Sequence, residues 1–260
     1  MQTTVETADG RVVGDTIAAG LRRIAIAAAA SGFAGLLVGG LGSRLVMRIA
    51  ALAAPEARGL LTENGNVVGE ITLAGTIALV VFGGIGSAIV GAGAFVVFDP
   101  WLPRRTMSRG LVLGGFLLAF AGPLVIDAAN ADFVLLGDHV LNVTLFSSLF
   151  LAFGLVASGA AAFLDRRIPP AGSFSLRQWM LSTVVGLPVV PGIIGFALSV
   201  APGLGLTLVG ARAAVAAGRA LDRRGRARIA RGLFVTATAA VASVLALSGA
   251  EYLRNVGTIL

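Results

Sequence analysis

Two carboxylates stand in matching local sequence. Glu70 and Asp138 each directly follow a glycine, and they lie 68 residues apart. Carboxylates that converge can hold a proton or cation between them, because each negative charge raises the other's affinity for a proton. His139, the only histidine, follows Asp138 and suits a proton relay. Arg44 and Arg48 are spaced i, i+4, so they share a helix face and would hold an anion or pair with acids. Glu70, Asp138, His139, Arg44 and Arg48 are therefore the candidate substrate or proton site.

Each group also has an architectural use. An acid in the first turn of a helix accepts bonds from unpaired N–H groups and complements the helix dipole, worth about 0.3–1 kcal/mol. An arginine near hydrocarbon needs an acid such as Glu63, Glu70 or Asp127, or an anionic ligand, because an unpaired charge there is costly.

Other chemistries find less support. With no cysteine, thiol catalysis, disulfides and Cys-ligated metal are excluded. No HExxH spacing accompanies His139, so no metal is expected. Ala157-Ser158-Gly159 loosely resembles the nucleophile motif of an intramembrane serine protease. On one helix, however, Ser158 and His139 would be roughly 28 Å apart at 1.5 Å per residue, far beyond the reach of a catalytic dyad. No catalytic residue, cofactor or enzymatic activity is expected, and an intramembrane hydrolase or lipid-modifying enzyme is the least favoured reading.

The elements that must position these groups come from a repeat. Shifting the chain by 68 residues aligns 67–95 with 135–163, with nine identities in 29 positions. Gly69, Thr76 and Gly91 meet Gly137, Thr144 and Gly159. At 100° per residue these fall along one line of a helix. Helices in lipid associate through small residues that permit close approach, so all six are read as helix packing residues. Upstream, Gly35, Gly39 and Gly40 correspond to Gly110, Gly114 and Gly115 at an offset of 75. A two-helix hairpin is thus expected twice, as parallel repeats about an axis near the membrane normal.

Composition fixes the solvent. The chain is 57% hydrophobic and 13% charged, whereas a soluble domain is nearer a quarter charged. Seven apolar segments, at 24–52, 71–98, 110–127, 139–164, 180–201, 203–221 and 231–250, approach the ~20 residues that a ~30 Å hydrocarbon layer requires. Pro188, Pro191 and the break at Ala201-Pro202-Gly203 leave open whether 180–221 makes two full spans or a re-entrant hairpin.

All basic residues are arginine, and all but Arg44, Arg48, Arg58 and Arg254 fall on one side of these spans. The positive-inside rule makes that side cytoplasmic, so the net charge of +7 marks topology rather than nucleic-acid binding. The use of Arg without Lys, with abundant Ala and Gly, fits GC-rich codons and a bacterial cytoplasmic membrane. The expected fold class is an all-α polytopic membrane helix bundle with a cytoplasmic N-terminal tail at 1–21 and a single transmembrane domain at 22–260. The expected partners are the lipid bilayer and other membrane helices or a second copy. The expected function is a small transporter or permease with an outward-facing polar site, and the alternative is a non-catalytic membrane scaffold or assembly partner.

Overall fold

The computed structural model describes residues 3–61, 67, 68, 70, 72–127, 129, 130, 137–170, 176–187, 190 and 223–260. Among them every regular element is helical, with a lone β-bridge between Leu61 and Val67. Among the described residues, four helices are long and apolar enough to cross a membrane: Ala18–Ala53, Leu73–Trp101, Thr106–Val125 and His139–Arg167. These match the first four expected spans, and with the composition they make the chain a helical membrane protein. The fifth expected segment is described only at 180–187 and 190, the sixth lies outside the described residues, and the seventh falls within the helix Arg223–Ile259. The polar N-terminal stretch is helical as well, since one α-helix runs from Thr3 to Ala34.

The first span is central and the second peripheral: 61% of the apolar window is buried in one and 6% in the other. Alanine makes the central position possible. Ala27, Ala30, Ala34 and Ala50 are all but fully buried, and their short side chains let neighbouring backbones come close.

Glycine takes this further where the first two spans meet. Gly35–Gly42 and Leu79–Ile85 both wind as π-helix, a wider turn that a glycine-rich segment resists little. Gly35 lies against Gly84 and Ala88, and Gly39 against Gly83 and Ser87. The third and fourth spans meet similarly. Gly110 lies against Leu155, Gly114 against Leu151, and Gly154 against both Gly110 and Gly114.

Polar bonds fasten the two ends of the bundle. At the arginine-rich end, Arg22 donates to Asp165, Ile168 and Pro169 at the end of the fourth span. There the turn Asp99–Trp101 ends the second span, Arg109 pairs with Asp99 and lies 4.8 Å over the Phe95 ring, and Trp101 Nε1 donates to Thr238 at 3.0 Å. At the opposite end Gly137 faces Ala54 and Glu56. The first and fourth spans are therefore antiparallel.

The helix Arg223–Ile259 runs in the same sense as the third span. It passes Trp101 at Thr238 and reaches Gly122 at Tyr252. The main core collects between these helices around Phe98, Leu113, Phe153, Ala157 and Val241, with Phe98 and Phe116 tilted at 60° and 4.6 Å apart.

Candidate functional site

The candidate site residues lie toward the arginine-poor end of the bundle, among the described residues no hydrogen bond or ion pair joins any two of their side chains to one another, and the backbone decides what each can do. Asp138 follows Gly137, whose φ of +69° is open to glycine at little cost. That turn places Asp138 as the N-cap of the fourth span, where its Oδ1 accepts from the Leu141 N–H at 2.9 Å. Its carboxylate is thus engaged in the helix start.

Glu70 is placed differently. The second span is capped by Thr72, whose Oγ1 accepts from the Gly75 N–H at 3.1 Å. Glu70 lies two residues before that cap, exposed, with its own N–H donated to the Val67 carbonyl. The acid beside Gly137 is Glu56, whose Oε1 would stand 2.9 Å from a Cβ placed there. Glu63 and Gly69 lie outside the described residues.

His139 is half-buried, and its Nδ1–H donates to the Ile259 carbonyl. A histidine that donates to the last carbonyls of a helix stabilises that terminus. Among the described residues it is one of three hydrogen bonds that hold the last helix to this end. Ser147 and Tyr252 join their hydroxyls at 2.9 Å, and Asn255 donates to the Ile126 carbonyl at 3.1 Å.

Arg44 and Arg48 occupy the helix Ser43–Ala53, directly after the π segment of the first span. Arg48 is exposed, whereas the Nε and Nη2 of Arg44 are buried with no hydrogen-bond partner among the described residues. Asn142, one turn into the fourth span and 1% exposed, likewise leaves both side-chain amide atoms without a partner.

The expected packing residues are spread over several surroundings. Gly91 is buried beneath the Phe153 ring, and Gly137 forms the turn described above. Thr76 and Thr144 donate to the carbonyls of Thr72 and Val140 within their own helices. Gly159 is exposed, with no atom within 4 Å of where a Cβ would stand. Ser158, 1% exposed, has no hydrogen-bond partner among the described residues.

Asn142 and Tyr252 carried signals in the sequence that pointed to no partner. Asn142 is a polar residue in an apolar run, one helical turn beyond Asp138, and Tyr252 is the single tyrosine, at the expected membrane boundary. No protein-family model, no curated protein and no solved structure matches this chain.

Proposed function

We propose that this protein is a seven-span protein of the bacterial cytoplasmic membrane, with its N-terminus cytoplasmic, that acts as a non-catalytic assembly partner for other membrane helices. The duplicated hairpin within it is supported by register. Gly39 lies against Gly83 in the first pair of spans, and Gly114 lies against Leu151 in the second. Offsets of 75 and 68 residues convert the one contact into the other.

The observation that carries the assembly role is an unfilled groove of about 430 Å³ between the third span and the last helix. Gly115, Leu118, Ala119, Leu245, Gly249 and Tyr252 line it. Gly110 and Gly114 are needed for the chain's own packing, but Gly115 has no atom within 4 Å of a Cβ position and Gly249 has only Ala119 at 3.9 Å. Small residues along an open apolar groove at membrane depth suit van der Waals packing of another helix.

Gly115→Leu would fill this groove without touching the fold. Single-molecule photobleaching in bilayers and cross-linking in native membranes should show the wild type associated with a second copy or another membrane protein. The variant should weaken that association on the order of tenfold, about 1.4 kcal/mol. A wild type that stays monomeric and cross-links to no protein would remove the proposal, as would a variant that associates equally well.

Transport is the second reading, favoured by Asn142, whose buried amide has polar capacity to spare at the same end as Glu70 and Asp138. In reconstituted vesicles, Glu70→Gln or Asp138→Asn should then lower flux or proton coupling on the order of tenfold, since a tuned carboxylate contributes about that much or more. Asn still accepts as an N-cap, so the helix start survives. Unchanged flux in both variants, with normal folding, would end this reading. The hydrolase reading has only the isolated Ser158 to rest on.

A further inference from the structure

We propose that the end of the fourth span binds an anionic phospholipid in the leaflet at the arginine-rich end, the cytoplasmic leaflet in the orientation given above. Arg166 and Arg167 hold the phosphate, and Phe163 and Gly159 line an acyl chain. Depth is the first argument. The helix His139–Arg167 has 29 residues, roughly 43 Å at about 1.5 Å per residue. A bilayer with its headgroup layers is ~40–45 Å thick, so the last turn of this helix stands at headgroup level. Phe163 lies one turn nearer the hydrocarbon, and Gly159 one turn beyond that, about 12 Å from Arg167.

Accessibility is the second argument. Gly159, Phe163, Arg166 and Arg167 are all exposed, and their spacing of three and four residues puts them on one helix face. The Phe163 ring is 52% exposed, and no atom lies within 4 Å of a Cβ placed on Gly159. This face is open along its length, and at membrane depth what lies against it is lipid.

Charge is the third argument. Asp165, the acid next to the pair, is bonded to Arg22. The carbonyls of Asp165, Ile168 and Pro169 also accept from Arg22, so the helix end is capped without Arg166 or Arg167. Arg167 lies 4.7 Å over the Phe163 ring, and Arg166 Nε donates to the Ala162 carbonyl at 3.0 Å. These contacts orient both guanidinium groups, while their Nη donors meet no acceptor among the described residues. A phosphodiester supplies two oxygens that match such a fork. Two positive charges whose neighbouring acid is already paired favour a lipid of net negative charge. This inference does not depend on the groove or on the assembly role.

Native mass spectrometry of the full chain, delipidated in mild detergent and titrated with phosphatidylglycerol or phosphatidylethanolamine, tests it. The wild type should retain phosphatidylglycerol better than the zwitterionic lipid. Arg166→Gln combined with Arg167→Gln should retain it on the order of tenfold less well. Phe163→Ala keeps both charges and should still lower retention several-fold, which decides the matter if the double variant does not fold. Arg104→Gln with Arg105→Gln removes the same charge from exposed positions just before the third span and should retain lipid as the wild type does. Retention in either fourth-span variant equal to that of the wild type overturns the proposal. So does an equal loss in the third-span control, which would mean diffuse attraction. Equal retention of the two lipids by the wild type, or displacement of the lipid by millimolar inorganic phosphate, would overturn it as well.

Discussion

Gly154→Leu should break the bundle by forcing the third and fourth spans apart. A Cβ at this position would stand 2.8 Å from the Cα of Gly114 and closer still to the Gly110 carbonyl oxygen. Those obstacles are backbone, so no side-chain rotation relieves them. The third span would have to move by more than an ångström along a seam where Gly110 and Gly114 are themselves pressed against Leu155 and Leu151. Overpacking a flexible core costs typically 1–3 kcal/mol, and a backbone seam sits at or above the top of that range, at about 3 kcal/mol or more.

The control is on the same helix. Gly159→Leu adds its side chain where no atom stands within 4 Å, and that position is exposed. It should leave stability within ~0.5 kcal/mol of the wild type. Thermal unfolding in detergent, followed by helical circular dichroism and size-exclusion profile, compares the two. Equal melting of both variants would mean that the third and fourth spans do not rely on this seam.

The contrast between Gly154 and Gly159 shows where sequence reasoning succeeds and where it stops. Long apolar segments report a lipid solvent directly, so the first four spans were legible from composition and length. The Gly35/Gly39 and Gly110/Gly114 pairs were legible too, because small residues four apart serve close helix approach. Which glycine of a helix faces its neighbour was not legible from the wheel alone. A projection at 100° per residue assumes an unbroken α-helix, yet Leu79–Ile85 is π-helix and shifts the phase between Thr76 and Gly91. In the fourth span, which has no such segment, the same line of residues includes the exposed Thr144 and Gly159.

The candidate site divides along the same boundary between local and long-range information. The capping alternative weighed for Asp138 depends on its own helix start, and its carboxylate accepts from Leu141 three residues on. The role of His139 depends on a carbonyl 120 residues away, which no local pattern encodes. Glu70 and Asp138 occupy matching positions in the aligned sequences, but a Thr72 cap two residues beyond Glu70 gives the second span a different helix start from the fourth. A match in residue type at aligned positions therefore does not fix the bond that the residue makes.

Arg22→Gln should produce the second large loss, because this one side chain closes the arginine-rich end between the first and fourth spans. Its Nε donates to the Pro169 carbonyl at 3.0 Å, while Nη2 donates at 2.8 Å to the carbonyls of both Asp165 and Ile168. Nη1 completes the set with the Asp165 carboxylate at 2.6 Å. The last carbonyls of a helix have no partner within it and carry the negative end of its dipole. A guanidinium, with five donors fixed in a plane, satisfies several of them at once and loses less freedom for each bond than a flexible ammonium. The exposed Asp165 side chain makes the ion pair itself weak, about 0–1 kcal/mol. Two of the three carbonyl bonds are part-buried and the third, to Asp165, is exposed; together they outweigh the ion pair, so the expected loss is about 2–3 kcal/mol. Asp165→Asn separates the two contributions, since it removes the ion pair and leaves every carbonyl in place. It should cost no more than ~1 kcal/mol and remove the part of the salt dependence that this pair contributes. If Arg22→Gln melts no lower than Asp165→Asn, the carbonyl clamp is not what holds the first span to the fourth.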